Sequence, residues 1–402
     1  MKRREFLTTL AGFGLLTLIP KSIFANNSAT STKNKLKDRT FVFNPYDDNK
    51  VVRVYEPMVT NYDYSENLVF WKTIDPKVLR KMLGKSIAEI SGETSEVKAW
   101  KMIFAVNKMA DLSAKKVVVK VNFNNTGRDI HTTLNNSPAM MAVLAQSMLT
   151  SGLKEENILF FDCSRPFPDE FKTEVRSLGL SKVGMKGKTD DLPESDKTIF
   201  LSDNKGLLRD GKQRENYPIP QCLIDADYMV NLHLVKMHET GVTGSMKNLF
   251  GISKNVAHYM HWIPKSFKET YHLPDISLNE EIKKRARLNI AEFIFGGHTP
   301  DSIDKFTNEA FFPDGKPASL IVSRSPFYHD TVLYGFIKNE HEACDPEKIR
   351  KDLKIIGPDT WLKKSAERYS GWKYDQASIL ETNKNGRPKK DLSFKNVNYV
   401  SI

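Results

Sequence analysis

Apolar positions along this chain follow two periods, 3.6 and 2, and they switch between them repeatedly. Pro76 to Ile90 carries Val78, Leu79, Met82, Leu83, Ile87 and Ile90 on one helical stripe, and Thr94 to Leu112 carries a second with Val97, Trp100, Ile103, Phe104 and Met109. Short strands are predicted at Phe41–Phe43 and Val51–Tyr55. Lys116 to Phe123 (KVVVKVNF) is a continuous apolar run, the pattern of a strand covered on both faces. Ser137-Pro138 then opens a helix that Gly152 closes. Asn157 to Asp162 (NILFFD) reads as the next strand, Phe167 to Leu178 as a helix, and Thr198–Ser202 and Asp227–Val235 as strands. A long amphipathic helix is predicted over Leu278–Phe295 and a late strand over Ala318–Ser323. Helices over Thr331–Ile337, Pro346–Leu353 and Pro358–Tyr369 and a last strand over Gln376–Glu381 complete the chain. Gly184–Lys197 and Asn255–Ser277 read as long irregular segments, a length at which loops often carry function. This alternation predicts an α/β fold: a mostly parallel sheet with helices on both faces, in a single large domain.

The first 25 residues follow a different logic. Lys2-Arg3-Arg4 is followed by an apolar run, Phe6 to Ile19, and by Ile23-Phe24-Ala25, with Ala25 at the expected cut. The run is shorter than the roughly 20 residues that span a bilayer, so residues 1–25 read as a signal peptide. Arg3-Arg4-Glu5-Phe6-Leu7 resembles the twin-arginine signal, with Lys2 where that pattern favours Ser or Thr. The resemblance implies a periplasmic or otherwise exported protein, the twin-arginine export machinery as a partner, and no stable transmembrane segment after cleavage. Residues 26–40 are polar and read as a disordered leader, which leaves 41–402 for the α/β domain.

The 402 residues carry a net charge of +11, of which the signal accounts for +3. The excess is spread along the chain, which suits solvated surface or attraction to acidic ligands. No helix-turn-helix, finger or aromatic ribonucleoprotein motif is present, so nucleic acid is not an expected partner. Cys163, Cys222 and Cys344 are far apart and form no Cys-x-x-Cys, so no iron–sulfur cluster is expected. One disulfide or three buried thiols remain open; the cofactor is unknown.

Candidate chemistry concentrates in YMVNLHLVKMHETGVTGSMKNLFG, residues 228–251. Strand alternation puts Val230, Leu232, Leu234, Lys236 and His238 on one face, so the strand passes from core to crevice at its C-terminal end. A helix starting at Ser245 would add an anion cradle of free N–H groups with Thr243, Ser245 and Lys247; the competing reading is a tight turn with surface lysines. The strand near 120 ends similarly, with Lys120, Asn122 and Asn124 on one face. Lys120 is either a desolvated base or nucleophile, or half of an ion pair with a nearby carboxylate. Asp162 ends the third strand and can bind metal, orient a base or cap the next segment. His258 and His261, with His238, could make a three-histidine metal set, or else part of a packed aromatic loop. His272, His298, His329 and His341 each stand alone and read as structural. The nucleotide P-loop and G-x-S-x-G are both absent.

These residues predict a crevice that binds a small anionic or oxygen-rich ligand, in which the amines of Lys120 and Lys236 share one hollow. As an enzyme, the protein would use His238, Lys236 and Lys120 catalytically, with Asn122, Asp162, Thr243, Lys247 and Asn248 as ligand-binding groups. A non-catalytic envelope protein and a metal-dependent enzyme are the alternatives, and whether the chain is an enzyme stays open.

NLHLVKMHETGVTGSMKNLFG also resembles the signature of domain-of-unknown-function family 362, at Lys236, His238, Thr243, Lys247, Asn248 and Gly251. VVVKVNFN resembles the family's Lys-x-Asn strand at Lys120 and Asn122, and the likeness runs from about Val97 to about Gly335. Some members also carry a Cys-rich ferredoxin segment; this chain lacks it, so electron transfer is not carried over by the resemblance. A more remote, fold-level similarity to the N-terminal part of lactate-racemase-type proteins implies Lys/His chemistry on a small hydroxy acid with a nickel cofactor.

Overall fold

Eleven strands and ten helices are found among the described residues of the computed structural model, which are 44–124, 126, 129–201, 216–238, 241–254, 272–344, 359–374, 394 and 396–402. The strands are β1 (Lys50–Tyr55), β2 (Val117–Lys120), β3 (Ile158–Phe161), β4 (Gly184–Lys186), β5 (Glu194–Phe200), β6 (Asn216–Pro220), β7 (Tyr228–His238), β8 (Gly241–Thr243), β9 (Ala286–Gly297), β10 (Ser319–Ser323) and β11 (Asn398–Ser401). The helices are α1 (Pro76–Ser91), α2 (Glu96–Ala105), α3 (Pro138–Leu149), α4 (Asp169–Ser177), α5 (Gln221–Ile224), α6 (Ser245–Asn248), α7 (His272–Ser277), α8 (Glu280–Lys283), α9 (Pro326–Ala343) and α10 (Asp359–Arg368). No described helix is long and apolar enough to cross a membrane.

One nine-stranded sheet organises the domain, in the order β11-β1-β10-β9-β7-β2-β3-β4 with β8 on β7. The run β9-β7-β2-β3-β4 is parallel throughout. β10 is antiparallel to both β1 and β9. Apolar side chains of the sheet divide into two cores. Val117, Val119, Leu232, Leu234 and Ile290 pack under α1 to α4, whereas Val118, Met229, Val235 and Met237 pack with α6 and α9. That division fits a sheet covered on both faces.

Helix ends are where local chemistry predicts them. Asp75 caps α1 through Lys77 N and Val78 N, and Gly92 closes it in the left-handed region. Ser137 caps α3 with Pro138 at its first position.

Three expectations are corrected. The predicted helix over Leu278–Phe295 is the short α8 followed by the central strand β9. β9 lies between β7 and β10, so both its faces are buried and its apolar run carries no period that separates strand from helix. Gly184–Lys197 is not wholly irregular: it contains β4 and the start of β5. β11 lies in a tail from which no element had been read. The predicted segments Phe41–Phe43, Pro346–Leu353 and Gln376–Glu381, and His258 and His261, lie outside the described residues.

Candidate active site at the carboxyl edge of the sheet

β2 and β7 are neighbours, but the chain leaves β2 towards β3 on one side and leaves β7 towards β9 on the other. Strand order therefore reverses between them, and a reversal of this kind is where α/β sheets place ligands, at the carboxyl ends of the strands. β2 stops at Lys120, level with Asn231, while β7 runs on to His238. β8 folds back on this extension: Lys236 pairs with Thr243 on one edge and with Gly297 on the other.

Lys236 is the dominant feature of this edge. It is 1 % exposed, and among the described residues Nζ has no hydrogen-bond partner. Burial pushes its pKa well below the usual lysine value. The positive charges of Lys247 and Arg165 push the same way, and only Asp301 opposes them. These neighbours come from separate places: Arg165 from the loop after β3, Asp301 from the loop after β9, and Lys247 from α6. Asn124, in the loop after β2, donates to Asp301 Oδ1 at 2.7 Å. The segments after β3, β8 and β9 thus act electrostatically on one amine, and the loop after β2 reaches Asp301. Thr243, directly across from Lys236 and 1 % exposed, also has an unpartnered hydroxyl. His238 is buried two residues further along β7, on the Lys236 face by strand alternation.

A second polar cluster lies deeper. Lys120 is 0 % exposed, and its Nζ meets Asp162 Oδ2 at 3.0 Å and Asn248 Oδ1 at 3.3 Å. Asp162 also accepts from Ser164 N at 2.7 Å, and Asn248 Nδ2 donates to Asn231 Oδ1 at 2.7 Å and to Leu232 O at 3.0 Å. Asn122 Nδ2 reaches Asn248 Oδ1 at 3.0 Å, while Asn122 Oδ1 is buried without a partner. Gly251 makes this packing possible: a Cβ there would stand 2.6 Å from Lys120 Nζ and 2.9 Å from Asp162 Oδ1. Gly251 O in turn holds Cys163 N at 2.8 Å. In this motif, Lys120, Asp162, Asn248 and Gly251 tie α6 and the turn after it to β2, β3 and β7.

The structure separates what the sequence reading joined. Lys120 shares the face of Val118, and Lys236 shares that of Leu234, which pack into different cores. Lys236 also lies five residues, about 16 Å, beyond the level of Lys120. The two amines therefore do not share a hollow, and Lys120 is held in an ion pair. The expected anion cradle at the start of α6 is likewise filled from within. Ser245 N and Met246 N donate to the Asp330 carboxylate at 2.6 and 2.9 Å. A Cβ at Gly244 would come within 2.5 Å of that carboxylate.

A family described as a domain of unknown function (DUF362) matches residues 117–334, more than half of the chain. The chain belongs to the DUF362 family. Its matched span begins at the first residue of β2 and ends within α9, so the DUF362 region holds both polar clusters. Among solved structures, the chain is similar to the lactate racemase apoprotein from Thermoanaerobacterium thermosaccharolyticum, with 12% identity and a TM-score of 0.36 over 63% of this chain. It spans about half, 54%, of that protein. No curated protein matches this sequence.

Several buried polar groups of the DUF362 domain escaped the sequence reading. Glu292 of β9 is 3 % exposed and accepts from Ser137 N at 3.0 Å and Asn136 Nδ2 at 2.9 Å, at the start of α3. Burial pushes it up to about 7 against those hydrogen bonds. It was hidden because β9 read as a helix. His329 does not stand alone: its Nε2 lies 3.0 Å from His233 Nε2. Nor does His298, which meets Glu340 and Cys344. All three cysteines are free, Cys163 and Cys344 buried and Cys222 half-buried.

Proposed function

We propose that the carboxyl edge of β7 binds a small anionic ligand on Lys236, with Thr243, Lys247 and Arg165 as further contacts. The supporting observation is the buried, unpartnered Lys236 amine. An isolated ammonium inside a protein costs several kcal/mol, and it stays charged only with a counter-charge. A bound carboxylate or phosphate would supply that charge and raise the lysine pKa. Without ligand, burial lowers the lysine pKa and so favours the form of the amine that can accept a proton. In a catalytic version of this reading Lys236 is the base, and His238 moves the proton onward. Lys120, Asp162 and Asn248 hold the neighbouring strand ends in shape. The proposal includes export of the protein through the twin-arginine route.

The test is thermal stability with inorganic phosphate, lactate and gluconate, for wild type and Lys236→Met. At least one anion should raise the wild-type melting temperature and leave Lys236→Met unmoved. The variant without ligand should be more stable than wild type, by about 1–3 kcal/mol, because a buried donor without a partner is replaced by an apolar chain of similar length. No response of the wild type to any of the three, or an equal response of the variant, would overturn the reading.

A further inference from the structure

A different cluster begins at His298, directly after Gly297, the register partner of Lys236. His298, the residue after β9, meets two residues of the last turn of α9. His298 Nε2 is 2.9 Å from Glu340 Oε1 and 3.3 Å from Cys344 Sγ, and Cys344 Sγ is 3.1 Å from Glu340 Oε1. Glu340 and Cys344 are four residues apart, so the helix itself brings them to one face. Glu340 is 0 % exposed and Cys344 is 8 % exposed.

From these three donors we infer a zinc site, with Nε2 of His298, a carboxylate oxygen of Glu340 and the sulfur of Cys344 as ligands and a water in the fourth position. Nitrogen, oxygen and thiolate sulfur are the donors that zinc takes. With bond lengths of about 2.0–2.3 Å, a tetrahedral site spaces its ligand atoms about 3.4–3.6 Å apart. The present spacings are a few tenths of an ångström shorter, as hydrogen bonds between the same atoms require, so a small outward movement admits the ion.

The surroundings hold these donors in place. Thr307 N and Asn308 N donate to the two Glu340 oxygens at 2.6 and 2.9 Å. Phe306 stacks on the His298 ring at 5.1 Å between centroids. Asp304 Oδ2 lies 3.8 Å from His298 Nδ1, the nitrogen that points away from the other two donors, and takes the His298 backbone N–H. A carboxylate on that side is the usual orienting partner of a metal-bound imidazole. Two carboxylates and a thiol around one imidazole also favour a divalent cation electrostatically. Glu340 and Cys344 lie beyond residue 334, outside the family-matched span. The site does not depend on the ligand proposed for Lys236.

The experiment loads the full chain with cobalt(II) and, separately, with zinc. Wild type should show the thiolate-to-cobalt charge-transfer band and retain one zinc per chain after dialysis. Cys344→Ser should lose the band and hold zinc roughly 10-fold or more weakly. The band is read on the wild type alone, so the test survives a variant that does not fold. A wild-type cobalt spectrum without it, or equal zinc affinity in wild type and Cys344→Ser, would overturn the site.

Discussion

The charge on one side chain has different consequences at two lysines of neighbouring strands. Lys120 has a carboxylate at 3.0 Å and two further oxygens within 3.3 Å, so it is part of the scaffold. Lys120→Met should leave Asp162 buried without its cation and cost about 3–5 kcal/mol, measured by urea denaturation. Adding Asp162→Leu should recover much of that loss; a double variant as unstable as the single one would contradict the ion-pair account. Gly251→Ala is a third probe of the same packing. The added methyl cannot coexist with Lys120 Nζ at 2.6 Å, so a loss of about 1–3 kcal/mol is expected. Sequence alone identified these residue types as chemically important. It could not assign the pairing, because Lys120 and Asp162 are 42 residues apart and meet only through strand register.

Elements show the same division. α6 has four residues, too few to hold itself together, and its first two N–H groups bond to Asp330 of α9. α9 also brings His329 against His233 of β7. His233 Nδ1 faces Leu234 O at 3.0 Å and must carry the proton there, so its Nε2 accepts from His329 Nε2. His329 Nδ1 is then bare, as its lack of a partner shows. Burial lowers both pKa values, that of His233 to about 4. A depressed folded-state pKa gives stability that is present above the unfolded value near 6.5 and lost as pH falls below it. His233 should contribute about 2 kcal/mol to the loss by pH 5, and His329 adds to it in the same direction. His329→Gln should make the acid limb of the stability curve shallower between pH 6.5 and 5, and an unchanged limb would contradict the assignment. Most elements were legible because their patterns are strong: the stripe of α1, the Ser-Pro start of α3 and the apolar run of β2. β9 was misread because a strand buried on both faces has no alternation to show.

For the whole molecule, the reversal of strand order between β2 and β7 matters most, because it sets the carboxyl edge at which Lys236 is buried. The proposed export is tested at this scale. Replacing Arg3 and Arg4 by Lys should leave uncleaved precursor in the cytoplasm, read by fractionation and mass, and normal processing of that variant would rule out the twin-arginine route. What the sequence determined by itself was the class of fold and most helix and strand positions, because period, caps and turn residues are local properties. Only tertiary structure decided that Lys120 is paired while Lys236 Nζ has no hydrogen-bond partner among the described residues, that Asp330 fills the α6 terminus, and that His298 meets Glu340 and Cys344. Those outcomes depend on register and on which helix covers which face, and in a sheet one residue of offset exchanges core for crevice.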